Sequence, residues 1–332
     1  MSTPAAAVAG RRSIATRLGP WASQIGITVA FLLLWLVFIV LAPRTFLNIP
    51  IYQSFAQTTP FFAIVAMLLT MVIVAGDIDL SFGSTMSLGM VGFIAVWQTT
   101  GSVELGVAGA LAVGVACGLF NGLLVTGVGI PSLVVTIGTQ FLFRGLAVAL
   151  VSGRQYPLVD TASSPIYDVL VGKLFGGIPM EFVWLVLISI VTWLLLNRHR
   201  LGQNAYSIGD NAQASALMGI PIRRTRITLF VLTGVAAAFA GLLNSLQVVN
   251  YYPAVGDGYL LPTLAAVFVG GTSVFGGRGS VWGTFIGAFM IGGISAGLVA
   301  IGLSDYFPQV VYGAVILISV SIHAFLQRRF ER

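Results

Sequence analysis

In 332 residues the chain has one cysteine, Cys117, one lysine, Lys173, and two histidines, His199 and His323. One cysteine closes no intrachain disulfide, which excludes a disulfide-stapled secreted scaffold. No Gly-x-x-x-x-Gly-Lys-Ser/Thr occurs, so the chain has no nucleotide-binding P-loop of its own. The histidines lie far apart without Cys or carboxylate neighbours at ligand spacing, which argues against a metal site. No Ser/His/Asp or paired-carboxylate arrangement suggests catalysis. Charge is scarce as well. The 16 basic and 10 acidic residues make 8% of the chain, against about 25% in a soluble domain. They could not cover the surface of a soluble globule this long. The serial intramembrane carboxylates and histidines of a proton relay are missing, which argues against an ion-coupled pump. The net charge of +6 would suggest nucleic acid in a soluble protein, but no interleaved aromatic and basic patch accompanies it.

Apolar residues make up 57% of the chain, and glycines number 40. That composition excludes disorder and leaves an all-α, polytopic membrane helical bundle. A spanning helix needs about 20 apolar residues, which allows roughly ten spans in one transmembrane domain over 1–332. The uncharged runs place them at Gly19–Pro43, Thr45–Gly76, Leu80–Val103, 104–126, 132–152, Phe182–Asn197, Ile227–Val249, 260–275, Ser280–Ile301 and Tyr306–Leu326. The break at Gly127-Val128-Gly129-Ile130-Pro131 separates the fourth from the fifth. The first span runs into Pro43-Arg44 without a clean small-residue cleavage site and reads as retained.

Ten spans put both termini on one side. With a cytoplasmic N-terminal tail over 1–20, the inside receives Arg11, Arg12, Arg17, Arg198, Arg200, Arg223, Arg224, Arg226, Arg278, Arg328, Arg329 and Arg332, which are 12 of the 16 basic residues. The outside receives Arg44, Arg154 and Lys173, with Glu104, Asp160, Asp168, Glu181, Asp257 and Asp305. This is the positive-inside asymmetry.

Three segments stand out. The long inside loop Arg198–Arg226 contains Asp210-Asn211-Ala212-Gln213, with Gly219 and Pro221 beyond. Asp210 as N-cap and Gln213 three residues on make a capping box, and Gly219 supplies the stop. A helix of about two turns is too short to stand alone. Ala214, Leu217 and Met218 share one face, suited either to a groove on a partner or to the chain's own bundle. The second segment, Gly76-Asp77-Ile78-Asp79-Leu80-Ser81, offers two acids between spans. Asp79 either caps the third span or, with Asp77 and Ser81, lines a polar path beside unwound backbone. The third, Gly270-Gly271-Thr272-Ser273 with Gly276-Gly277-Arg278-Gly279-Ser280, lacks the lysine of a phosphate loop and suits close helix packing. Asn121, Gln140, Arg144, Asn244 and Gln247 are isolated polar residues inside spans. Arg144 either snorkels outward or pairs within the bundle.

These motifs, in this order over roughly 45–325, resemble the permease subunit of ribose-type (monosaccharide) ATP-binding-cassette importers. Gly76–Ser81 is similar to the family's Gly-Gly-Ile-Asp-Leu-Ser signature, with Asp77 in place of Gly. Tyr206-Ser207-Ile208-Gly209-Asp210-Asn211 through Gly219-Ile220 is similar to its cytoplasmic loop, with Asp210 where Gly is common. The resemblance implies a permease of the bacterial cytoplasmic membrane that passes a small sugar inward through a dimer of two permease chains. It implies that ATP and Mg are bound by a separate cytoplasmic ATPase and that an extracytoplasmic sugar-binding protein delivers the solute. No cofactor is expected in this chain, no nucleic acid, and no enzymatic activity; membrane lipid is its solvent. It also implies that 206–220 holds the coupling helix, with Asp210, Asn211, Gln213, Ala214, Leu217, Met218 and Gly219 at the ATPase. The rivals are a branched-chain amino-acid permease of the same superfamily, against which the 76–81 motif speaks, and an ion-coupled secondary transporter.

Overall fold

The computed structural model describes residues 22–303 and 306–330. The expected tail 1–20, with Arg11, Arg12 and Arg17, lies outside the described residues. So do Asp305, Arg332 and the side chains of His323, Arg328 and Arg329.

The helices run α1 (Ala22–Leu41), α2 (Pro43–Phe46), α3 (Ile49–Thr58), α4 (Pro60–Val74), α5 (Phe82–Thr100), α6 (Val103–Leu123, continued by a π turn over Leu124–Val128), α7 (Ser132–Leu150), α8 (Pro165–Val171), α9 (Met180–Asn197), α10 (Arg200–Asp210), α11 (Ala212–Leu217), α12 (Ile222–Gln247), α13 (Leu260–Val269), α14 (Val281–Ala300) and α15 (Phe307–Phe330). The strands are two-residue pieces. β1 (Tyr156–Pro157) pairs antiparallel with β4 (Asn250–Tyr251), and β2 (Lys173–Leu174) with β3 (Ile178–Pro179).

Among the described residues, six helices are long and apolar enough to cross a membrane, and α3 with α4 makes a seventh if the bent pair is one span. Large apolar side chains of α1, α7 and α9 face outward, among them Leu32 at 59% exposure and Phe141 at 72%. In water such faces would be costly; in hydrocarbon they are matched. The chain is a polytopic helical membrane protein.

Three expected spans have different outlines. The second is broken between Thr58 and Pro60, where the chain bends by 50°, because Pro60 brings no N–H to the helical ladder. The seventh starts at Ile222, directly after Pro221, and not at Ile227. Arg223, Arg224 and Arg226 are therefore helical and not in a loop. The eighth, α13, ends at Val269 and covers only about 15 Å at helical rise, half of the roughly 30 Å hydrocarbon core.

At the centre stands α4, every residue of which is buried. It is apolar all round, as a helix enclosed by others requires. Next to it stands α12, on which α6 lies at close range. A Cβ added at Gly118 would come 2.3 Å from the Phe230 carbonyl oxygen, a separation that only glycine permits. The bundle has two distinguishable ends. One gathers Val74, Gly209 and Gly277, where the Gly277 N–H donates to the Val74 carbonyl at 2.9 Å. The other gathers both strand pairs and the start of α6, where Ser164 Oγ donates to Glu104 Oε1 at 2.8 Å.

Candidate functional site

The segment between α4 and α5 is buried, although it carries two acids. Asp77 is 5% exposed, Asp79 1% and Ser81 1%. Its backbone leaves α4 through Gly76 at φ +81° and becomes non-helical over 77–80. Neighbouring side chains take up its polar groups, as burial demands. Ser132 Oγ accepts from the Ile78 N–H at 3.0 Å, and Thr136 Oγ1 donates to the Ile78 carbonyl at 3.2 Å. Asp79 Oδ1 accepts from the Ser81 N–H at 2.9 Å and from Ser81 Oγ at 2.7 Å. Asn121 Nδ2, from α6, donates to Ser81 Oγ at 2.8 Å. The N-cap of α5 is Ser81, which makes no side-chain capping bond. Asp79 thus ties down the turn before α5 and does not cap the helix's first-turn amides, which corrects the capping expectation.

Asp77 faces Arg226, in the opening turns of α12. Its Oδ2 lies 2.9 Å from Arg226 Nε, at ion-pair distance but outside hydrogen-bond geometry. A charge at this depth requires a counter-charge. The sequence offered that clue, but nothing in it singled out Arg226.

A second break, between α12 and α13, packs on the first turn of α5, just beyond the first break. A Cβ at Gly83 would lie 2.9 Å from the Gly256 carbonyl oxygen. Arg144 of α7 pairs within the bundle and does not snorkel. It donates to the Pro253 carbonyl, to the Val255 carbonyl at 3.1 Å, and to the Asp257 carboxylate. Ser87 Oγ donates to the Pro253 carbonyl at 2.8 Å. Asn244 Nδ2 donates to Tyr259 Oη at 3.0 Å. Two interrupted helices that touch inside a bundle are the usual way for irregular backbone to exist at membrane depth, where it lines a cavity or lies against protein. Asp77, Asp79, Ser81 and Asn121 come together at the first break, and Arg144 holds the second. Gln140 and Gln247 are half-buried on α7 and at the end of α12 and join neither cluster.

The expected loop over 198–226 is largely helical. Its first part, α10, starts with the side chain of His199 accepting the Leu201 N–H at 3.1 Å. Asp210 is the last residue of α10 and caps nothing. The cap of α11 is Asn211, whose Oδ1 accepts the Ala214 N–H at 2.9 Å. The cap is therefore displaced by one residue, and with Ala214 at the third helical position no capping box forms. The Asn211 N–H is already used by the Ser207 carbonyl, so Gln213 has no reciprocal role and is exposed. The stop is as expected, with Gly219 left-handed at φ +77°.

The two helices differ in how they sit. α10 is docked. At Gly209 an added Cβ would fall 1.8 Å from the Val74 carbonyl oxygen and 2.5 Å from the Gly277 nitrogen. Tyr206 Oη donates to the Gly279 carbonyl at 2.9 Å, and burial pushes its phenol pKa up, which keeps it a neutral donor. α11 projects. Ala214 is exposed, as are Leu217 at 91% and Met218 at 68%, while Ser215 is turned inward. Leu217 and Met218 thus make an apolar face that the described residues leave uncovered. Through Gly209 and Val74 it is mechanically continuous with the Asp77 turn.

The model of the family described as branched-chain amino acid transport system / permease component matches residues 51–320. The autoinducer 2 import system permease protein LsrD of Salmonella paratyphi A is 31% identical over 322 residues, covering 92% of this chain and 95% of that protein. Its counterpart from Salmonella typhi is 34% identical over 78% of this chain and 80% of its own length. The one from Yersinia pseudotuberculosis serotype O:3 is 34% identical over 81% and 84%. No solved structure matches. A family match over most of the chain, and relatives aligned over 80–95% of their own length, place this chain in that permease-component family, as a multi-pass membrane transport subunit and not a catalytic enzyme.

Proposed function

We propose that the chain is the membrane-spanning half of an ATP-driven importer of a small neutral carbohydrate. A pair of permease chains works with a cytoplasmic ATPase, which binds ATP and Mg, and with an extracytoplasmic binding protein. The relatives carry autoinducer 2 import in their names, and the Gly76–Ser81 motif agrees with a monosaccharide-type permease. Ten crossings place both termini in the cytoplasm, with α10 and α11 on that side. The observation that carries the reading is α11: a capped, projecting helix with Leu217 and Met218 bare, next to a helix locked against Val74 and Gly277.

In this mechanism closure of the ATPase pair moves α11 and α10 together. The Gly209–Val74 contact transmits that motion to the turn carrying Asp77 and Asp79. The Asp77–Arg226 contact ties the same turn to the start of α12, so both breaks shift as one unit and the path changes its open side. The binding protein supplies the affinity, and the permease needs only weak contacts along the path.

Proteoliposomes holding the permease pair, its ATPase and its binding protein test this. The expected result is uptake of labelled D-ribose that requires ATP and is unaffected by imposed proton or sodium gradients. Uptake driven by an ion gradient without ATP, or ATP-driven uptake of L-valine and not of any sugar, contradicts it.

A further inference from the structure

α1 and α9 each pack on α14, and a groove of about 880 Å³ runs between them on the outside of the bundle. It lies at the end that gathers Val74, Gly209 and Gly277. The first turns of α1 and α14 and the last turns of α9 line it, through Ile25 and Val29, Val281 and Phe285, and Val186 and Ile190. Ile25, Val29 and Ile190 are exposed along it.

The rim at that end is polar. Asn197 and Arg198 close α9 there, Gln24 stands on α1, and Trp193 and Trp282, both exposed, flank them. Indoles on a lipid-facing surface mark the headgroup level of a membrane. Arg198 is exposed, and its Cζ lies 5.7 Å from the centroid of the Trp193 ring, which holds the guanidinium beside the groove. No acidic side chain lines the groove, and among the described residues no carboxylate pairs with Arg198. Apolar walls accept a hydrocarbon chain without cost, whereas a cation at headgroup level between spanning helices attracts an anionic headgroup. Length points the same way. From Arg198 to Val186 the groove follows α9 for about 18 Å at helical rise, and one leaflet of the hydrocarbon core is about 15 Å deep. A spanning helix of another chain would need a seam about twice as long.

We propose that this groove is a binding site for an anionic diacyl phospholipid of the leaflet on that side. Its acyl chain lies between α1 and α9, on Ile190 and Phe285, and its phosphate pairs with Arg198. The site requires the membrane-spanning fold and does not depend on the importer reading. Arg198 is followed by His199, whose side chain accepts the Leu201 N–H at the start of α10, so the bound phosphate braces the corner from which α10 departs.

The test is fluorescence quenching in the full-length permease in dodecyl maltoside. Ile190→Cys in a Cys117→Ser background is labelled with bimane and titrated with brominated phosphatidylglycerol or brominated phosphatidylcholine. Phosphatidylglycerol is expected to reach half-quenching at about fivefold lower mole fraction, the effect of one basic residue on an anionic headgroup. Arg198→Gln is expected to abolish that preference and Arg198→Lys to keep it. Phe141→Cys, labelled in the same way on the outward face of α7, is expected to show no preference. Equal quenching by the two lipids at position 190, a preference that survives Arg198→Gln, or the same preference at position 141 overturns the proposal. Quenching by neither lipid at position 190 would show that protein, such as a second copy of the chain, covers the groove, and overturns it as well.

Discussion

Asp77, on the turn after α4, and Arg226, in the opening turns of α12, stand 2.9 Å apart with Asp77 almost fully enclosed. Removing one member strands the other. Asp77→Asn is therefore expected to lower stability by about 3 kcal/mol, the low end for a broken buried pair, because the Arg226 side chain keeps 24% exposure. Asp77→Gly combined with Arg226→Leu removes both charges and should recover most of that loss. Thermal unfolding of the single and double variants in detergent measures the coupling. Additive losses would show that the two side chains do not interact.

Asp79 makes a narrower prediction. Its Oδ1 accepts two bonds from Ser81, and an asparagine oxygen accepts the same two. Asp79→Asn should keep the turn with a loss below about 1 kcal/mol, whereas Asp79→Ala leaves a buried N–H unsatisfied and should cost about 1–3 kcal/mol. Melting curves distinguish them, and equal losses would mean that the charge, not the turn, matters to the fold.

Gly209 and Gly219 are both glycines at helix ends but for different reasons. An added methyl at Gly209 meets fixed backbone of Val74 and Gly277, while at Gly219 nothing lies within 4 Å and only the left-handed φ is strained. Gly209→Ala should therefore cost about 1–3 kcal/mol by overpacking and impair stimulation of the ATPase. Gly219→Ala should cost about 1 kcal/mol and leave stimulation largely intact. Reversal of that order, read as melting temperature and ATPase rate, would contradict the docking of α10.

Orientation is checked by labelling. In a Cys117→Ser background, Asp168→Cys is expected to react with an impermeant maleimide in intact cells, and Gln213→Cys only after permeabilisation. Reaction of the second in intact cells would invert the proposed topology.

The apolar runs of α1, α7, α9, α12 and α14 were readable because a membrane helix declares itself by length and composition alone. α10 was not, since its polar, amphipathic sequence resembles a loop until Gly209 is seen wedged against Val74. Asp210 and Asn211 are both good caps, and only the fold, which spends Asp210 on the end of α10, chooses between them. Asp79 and Ser81 were legible as a polar break because acids are rare in this chain. Their partners Asn121, Ser132 and Thr136, and the counter-ion Arg226, arrive from other helices and follow from tertiary packing.

We propose that α11 is where the ATPase takes hold. Leu217→Asp with Met218→Asp places charge on the bare face of α11, which an apolar groove would have to desolvate, and both side chains are exposed enough for the bundle to fold unchanged. The expected product is a permease of wild-type melting temperature that no longer copurifies with its ATPase and no longer stimulates ATP hydrolysis. Copurification of this double variant with the ATPase at wild-type yield, with normal stimulation, would contradict it.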